Sequence, residues 1–146
     1  MIERFLNQVA HEWNRFFAKK KLLPHEQLVI DEWRAVLSEA NQQILQSQME
    51  AVEIVQRQAV GAKVCFYYPA DTKISQFQDG RPDLHAATVL LRSDGTSEVL
   101  RAKIFIHRGK FFSIEFPKRP DRFMKQHRMR PHALRASNVE QHINLS

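Results

Sequence analysis

The sequence predicts an α+β protein, in which an N-terminal antiparallel helix pair packs on a four- or five-stranded, mostly antiparallel sheet. Apolar residues recur at helical spacing over roughly the first 45 positions. Three runs of alternating residues follow one another from His85 to Phe116, and three of the four glycines lie in the second half of the 146-residue chain. The length suits one folded domain, which we place at residues 1–116, followed by a basic C-terminal segment at 117–146 that is partly docked or flexible.

Two helices are predicted in the first third of the chain. The first spans residues 2–18, where apolar and polar side chains alternate with a helical period. Pro24 suits the first turn of the second helix, which continues to about Met49. A short loop joins the two, so we expect an antiparallel pair with Trp13 and Trp33 facing the core.

The segment 46–60 is open to two interpretations. Its apolar residues could extend the second helix, or the alternation that begins near Val52 could start a strand. We expect helix to about Met49 and a strand from about Val52, which turns near Gly61 into a second strand at 63–68.

The next strand pair is marked by its turn. Residues 93–96, Ser-Asp-Gly-Thr, are typical of a two-residue hairpin loop. This turn predicts a register that gathers small and aliphatic side chains on one face, which we assign to the core. The predicted pairs are Leu91 with Glu98, Val89 with Leu100 and Ala87 with Ala102.

The following turn decides which side chains share a face. A two-residue Arg108-Gly109 turn would place Phe112 on the face of Lys103 and split the apolar set. A three-residue connection with a left-handed Gly109 would instead pair Ile104 with Phe112 and unite the large aliphatic residues. We prefer the three-residue connection.

That register also predicts the composition of the opposite sheet face. It places Arg101 opposite Glu115, Lys103 opposite Ser113 and Phe105 opposite Phe111. The face is either an ordinary solvated surface with one ion pair and one aromatic pair, or a recognition surface, because interfaces are enriched in arginine and aromatic residues. The candidate partner-binding residues are Arg101, Lys103, Phe105, Phe111 and Glu115, with Arg119 and Arg122 of the basic segment as secondary candidates.

The sequence carries none of the common catalytic, nucleotide-binding or metal-binding motifs, and its seven histidines are scattered. We therefore expect no enzymatic activity, no cofactor and no metal. Lone Cys65 is expected to be a buried apolar side chain. A nuclease site that combines Arg101, Lys103 and His107 with Ser113 and Glu115 is a remote third interpretation.

The charge is concentrated at the C-terminal end. Residues 117–146 contain seven Lys/Arg and two acidic residues, which is +5 of the net +6. Phe123 is interleaved with these cations, so nucleic-acid binding through this segment is the alternative function. No apolar run reaches the roughly 18 residues of a membrane span, and we expect a cytoplasmic protein that does not act at a membrane.

The order of two long helices and an antiparallel meander ending in Gly-Lys-Phe-Phe-Ser-Ile-Glu-Phe, residues 109–116, resembles small immunity proteins of bacterial polymorphic-toxin systems, such as contact-dependent growth inhibition. The resemblance covers about a quarter of the chain. It implies a cytosolic protein that binds one cognate toxin domain and blocks its active site. Since the sequence pI is about 9.8, we expect contact through the near-neutral body or through basic residues that meet an acidic toxin patch.

Overall fold

The computed structural model describes residues 22–70, 73–93, 96–126 and 134–145. The predicted helix at 2–18, with Trp13, lies outside these ranges. Within them, two adjacent helices, α1 (Pro24–Val36) and α2 (Glu39–Ala51), pack on an antiparallel sheet, and a short helix, α3 (Pro120–Gln126), follows the meander. The α+β fold class is confirmed.

The second predicted helix is divided in two, because the chain becomes extended at Leu37 and Ser38. The Ser38 side chain accepts a hydrogen bond from the backbone N–H of Asn41 at 3.3 Å and so caps α2. Serine favours this capping role over a helix interior, which explains why a continuous apolar stripe did not give one continuous helix.

The sheet in the described residues has six strands, whereas the sequence predicted four or five. They are β1 (Ile54–Gln58), β2 (Lys63–Tyr67), β3 (Leu84–Arg92), β4 (Leu100–His107), β5 (Lys110–Glu115) and β6 (Arg135–Gln141), in the spatial order β1-β2-β5-β4-β3-β6. The additional strand, β6, comes from the basic C-terminal segment and pairs with β3. Its residues are mostly polar and exposed, so it lacks the alternation that identifies a strand.

The core lies between the sheet and the two long helices. The ring of Trp33 lies 5.5 Å from that of Phe111 and 5.9 Å from that of Phe77, measured between centroids. Phe66 packs against Phe111 at 4.6 Å. These distances are typical of aromatic pairs, which add to the stabilisation from burial alone.

An ion pair links α1 to the edge of the sheet. The Glu26 side chain is fully buried, and the guanidinium Nε of Arg57 on β1 donates to it at 2.9 Å. The same carboxylate accepts from the backbone N–H of Leu23 at 2.9 Å, so Glu26 also caps the helix. A buried carboxylate with these partners is satisfied, and removal of the arginine would leave it uncompensated.

The register of the β3–β4 hairpin differs from the predicted one by two residues. Leu91 pairs with Leu100, and Val89 pairs with Ala102. Strand pairing therefore stops at Leu91 and Leu100, so the predicted register is wrong, and residues 94–95, at the centre of the predicted turn, lie outside the described residues. Since side chains alternate with a period of two, a shift of two residues leaves the same apolar set in the core.

The β4–β5 turn combines elements of both interpretations. Gly109 has a φ of +78°, so its predicted left-handed conformation is confirmed. Arg108 also has a positive φ, +50°, and His107 pairs with Lys110, so the connection has two residues and the preferred three-residue connection is wrong. The extra residue is instead Phe112, which forms a β-bulge between two successive pairs.

The bulge decides where the two phenylalanines point. Ile106 pairs with Phe111, which is fully buried, and Phe105 pairs with Ser113. Phe112 is therefore on the opposite face, where the sequence placed Phe111. The aliphatic residues still meet in the core because Ile104 pairs with Ile114.

A buried glutamine fixes this turn to the body of the protein. The Gln48 side chain donates to the carbonyl oxygens of Ser75 and Gly109, and it accepts from the backbone N–H of Phe111, at 2.8 Å in each case. A Cβ atom at Gly109 would lie 2.9 Å from the carbonyl oxygen of Phe77. Both observations show that the turn is packed tightly against the 75–77 segment.

Candidate protein-binding surface

The sheet face opposite α1 and α2 is called the open face here. It carries four of the predicted contact residues, Arg101, Lys103, Phe105 and Glu115. Phe111 was predicted to lie with them, but this is wrong because the bulge directs it into the core. Phe112 occupies the open face instead, and the sequence carried no signal that placed the extra residue inside the strand.

The charges of the open face are paired differently from the prediction. Lys103 and Lys63 flank Glu115 in the two neighbouring strands, and the Lys63 Nζ lies 3.7 Å from the carboxylate. Arg101 is opposite Leu90 and is exposed. An ion pair that is partly exposed contributes little to stability. Among Arg101, Lys103, Lys63 and Glu115, positive charge is therefore in excess.

A histidine pair lies on the β3–β6 side of the open face. Thr88 Oγ1 lies 3.0 Å from His85 Nε2 and 2.9 Å from His142 Nε2, so the hydroxyl can donate to one ring and accept from the other. The His85 ring stacks on Phe105 with centroids 5.0 Å apart. Burial lowers the pKa of His85, and the nearby His142 and Lys103 lower it further. This cluster connects His142, the residue after β6, to Thr88 on β3.

The opposite end of the open face is apolar. Ile54 is 55% exposed and pairs with Tyr67, which is 37% exposed. Phe112 on β5 contacts the Tyr67 ring edge-on, with centroids 6.0 Å apart. These three side chains come from neighbouring strands and form one apolar patch.

A notch opens beside this patch because β2 and β5 separate. Their pairing runs from Lys63–Glu115 to Cys65–Ser113, and the bulge at Phe112 follows directly. The resulting cavity has a volume of about 200 Å³ and is lined by Phe66, Tyr67, Tyr68, His107, Lys110 and Phe112.

Two contacts define the walls of the notch. The Tyr68 hydroxyl donates to the Phe111 carbonyl, and burial raises the pKa of this phenol far above its ordinary value. The Lys110 Nζ lies 5.8 Å from the centroid of the Tyr68 ring. At the rim, His107 Nδ1 donates to the Pro82 carbonyl. The notch is thus an aromatic cavity with a cation at its edge.

The secondary candidates, Arg119 and Arg122, are on the basic segment. They line a second cavity of about 430 Å³ with Pro117, Lys118, Phe123 and Gln126. The Arg119 guanidinium is paired with Asp121 at 2.6 Å, and the Phe123 ring is buried. These residues are therefore grouped around α3.

The residues of the remote nuclease interpretation do not meet in one place. Arg101 and His107 are six positions apart on β4, which corresponds to about 20 Å along an extended strand. Ser113 is buried between Cys65 and Phe105. The prediction that Cys65 is buried is confirmed, and burial raises the pKa of its thiol.

In residues 22–70, 73–93, 96–126 and 134–145, no group of three or more His, Cys, Asp or Glu side chains is arranged to hold a metal ion. Over the same residues, no helix combines the length and the apolar character that crossing a membrane requires. The chain matches no known protein family, and neither curated proteins nor solved structures give a match.

Proposed function

We propose that this chain is a non-enzymatic protein-binding protein that receives its partner on the open face of the sheet. The observation that carries the proposal is the patch formed by Ile54, Tyr67 and Phe112, where large apolar side chains from three strands are grouped at the surface. Single exposed apolar residues are common on soluble proteins, whereas contiguous ones are a feature of interaction sites.

The charge of the face suggests the character of the partner. Arg101 is exposed, and Lys103 and Lys63 lie on the two strands that flank Glu115, with the Lys63 Nζ 3.7 Å from its carboxylate. An acidic protein surface would complement this arrangement, and complementary charge increases both association rate and specificity. Phe105, between the histidine pair and the bulge, would add apolar contact area.

The more specific form of the proposal is a bacterial immunity protein that acts in the cytoplasm. It is supported by the resemblance of residues 109–116, and by the position of that segment, which forms β5 and supplies Phe112 and Glu115 to the open face. The bound chain would prevent substrate from reaching the toxin's active site by steric occlusion.

The test is a binding measurement with the toxin domain encoded by the reading frame adjacent to that of this chain, purified as an inactive variant. We expect a stoichiometric complex that Arg101→Glu weakens at least about tenfold, because like charges across an interface repel. Arg122→Glu is the matched control, since it makes the same charge change on α3, away from the open face. A complex that tolerates Arg101→Glu but loses affinity with Arg122→Glu would contradict docking on the open face.

The alternative is nucleic-acid binding through the basic segment, supported by the cavity that Lys118, Arg119 and Arg122 line. Phosphate contacts release counterions, so such an affinity would decrease steeply with salt concentration. Arg122→Glu should then weaken RNA or DNA binding and reduce its salt dependence, while Arg101→Glu should leave most of the affinity. Charge reversal is preferable to truncation because residues 135–141 form a strand of the sheet.

A further inference from the structure

We propose that the notch between β2 and β5 receives one aromatic side chain of the partner protein, from a segment in which carboxylates flank that aromatic residue. This inference rests on the proposed protein-binding function and names the anchor of that interaction. It is independent of whether the partner is a toxin.

The β5 side of the notch does not pair with another strand at Phe111, because both backbone groups of this residue already have partners. The Phe111 N–H donates to Gln48, and the Phe111 carbonyl accepts from the Tyr68 hydroxyl. On β2, the Tyr67 carbonyl accepts from the N–H of Glu53 at 2.8 Å. Recognition at this point therefore depends on side chains.

The walls favour a hydrocarbon ring. Four of the six lining residues carry phenyl or phenol rings, namely Phe66, Tyr67, Tyr68 and Phe112, and the volume of about 200 Å³ has room for one ring system. Aromatic rings gain most when their centroids are 4.5–7 Å apart in offset or edge-on geometry, and several walls offer this to one inserted ring. A nucleobase fits less well, because the ring faces that form most of the walls offer no hydrogen bonds to the polar atoms on its edges, which would lose water on entry.

The cation at the rim of the notch favours acidic residues on either side of the partner's inserted aromatic residue. Lys110 holds its ammonium group at the edge of the cavity, and none of the residues that line the cavity is acidic. A carboxylate beside the inserted ring would pair with this lysine. Flanking lysines would be repelled, so the notch should discriminate between acidic and basic sequences around the same aromatic residue.

The experiment is an NMR titration of the full chain with the blocked peptide acetyl-Glu-Trp-Glu-amide. We expect shift changes centred on Tyr67, Lys110 and Phe112, and an affinity about tenfold lower when the central residue of the peptide is leucine. Phe112→Ala should weaken binding about tenfold, and Lys125→Ala, which removes an exposed cation from α3, is the control that should leave it within twofold.

A charge swap keeps the test decisive if Phe112→Ala disturbs the fold. Lys110→Glu should reduce binding of the Glu-flanked peptide and improve that of acetyl-Lys-Trp-Lys-amide. Equal affinities of the wild-type protein for the two peptides would overturn the inference, as would binding of oligouridylate with the same shift pattern.

The outcome separates this inference from the proposed function. If the partner protein binds and Phe112→Ala leaves its affinity unchanged, the partner uses the open face without the notch and this inference is wrong. If the peptide binds at the notch while the adjacent toxin domain does not bind, the toxin-neutralising role is wrong and the anchor site stands.

Discussion

Replacement of buried Gln48 by methionine would remove its three hydrogen bonds with little change in side-chain volume. The amide contacts the carbonyl oxygens of Ser75 and Gly109 and the N–H of Phe111, each at 2.8 Å. Ser75 is exposed, so its carbonyl can turn to water, and the Gly109 carbonyl keeps a bond from the backbone of Phe77.

The free-energy change follows from these partners. The Phe111 N–H loses its partner in the core, which costs about 1–3 kcal/mol, and each of the other two bonds contributes roughly 0.5–1.5 kcal/mol. Burial of a thioether in place of an amide offsets part of the loss. We expect Gln48→Met to lower the free energy of unfolding by about 2–4 kcal/mol.

Urea unfolding followed by circular dichroism measures this change as a shift of the midpoint at constant slope. Gln43→Met is the matched control, because Gln43 is on the same helix but exposed, and its effect should stay within about 0.5 kcal/mol. If Gln48→Met were no more destabilising than this control, the assigned role of Gln48 in fixing the β4–β5 turn would be refuted.

Three further predictions concern strain, charge and pH. Gly109→Ala should lower the free energy of unfolding by more than about 2 kcal/mol, because backbone strain at positive φ is combined with a steric clash. Gly61 has open space around it, so Gly61→Ala should show only the strain, roughly 1 kcal/mol. Equal shifts of the urea midpoint in the two variants would contradict this prediction. Arg57→Met should lower the free energy of unfolding by about 3 kcal/mol at neutral pH, because the buried Glu26 carboxylate loses its ion-pair partner. Thermal unfolding measures this change, and an unchanged Tm would contradict the prediction. Burial lowers the pKa of His85 below the 6.5 of an exposed histidine, so its contribution to stability is complete above about pH 6.5 and declines as the pH falls. His85→Gln should therefore lose less stability than the wild-type protein between pH 7 and 5. Burial also lowers the pKa of His25, but His25 is present in both proteins and does not affect the difference between them. Parallel plots of unfolding free energy against pH for the two proteins would contradict the prediction.

Local patterns were sufficient to predict much of the fold. The alternation from His85 to Phe116 gave three strands whose core face was correct except at Phe111 and Phe112, even though both hairpin registers were wrong. Side-chain direction repeats every two residues, so a two-residue slip is invisible to the hydrophobic pattern. The pattern therefore predicts which residues are buried better than it predicts which residues are partners.

The errors occurred where a tertiary contact overrides the local pattern. Phe111 and Phe112 are identical in chemistry, and only the contacts of the turn with Gln48 and the 75–77 segment show which of them enters the core. The histidine cluster joins His85 to His142, which are far apart in sequence. Its assembly depends on β6, a strand without an apolar signature. Four of the five open-face candidates were nevertheless placed correctly, because the opposite face followed from the core.

The position of β6 has a consequence for any shortened form of this protein. β3 is nine residues long, its side chains are mostly buried, and β6 covers its outer edge. A chain ending at residue 116 would leave that edge bare, with backbone donors and acceptors free to recruit a strand from another molecule. We expect such a fragment to accumulate as intermolecular β-aggregates, so that an apparent loss of partner binding on truncation would report self-association.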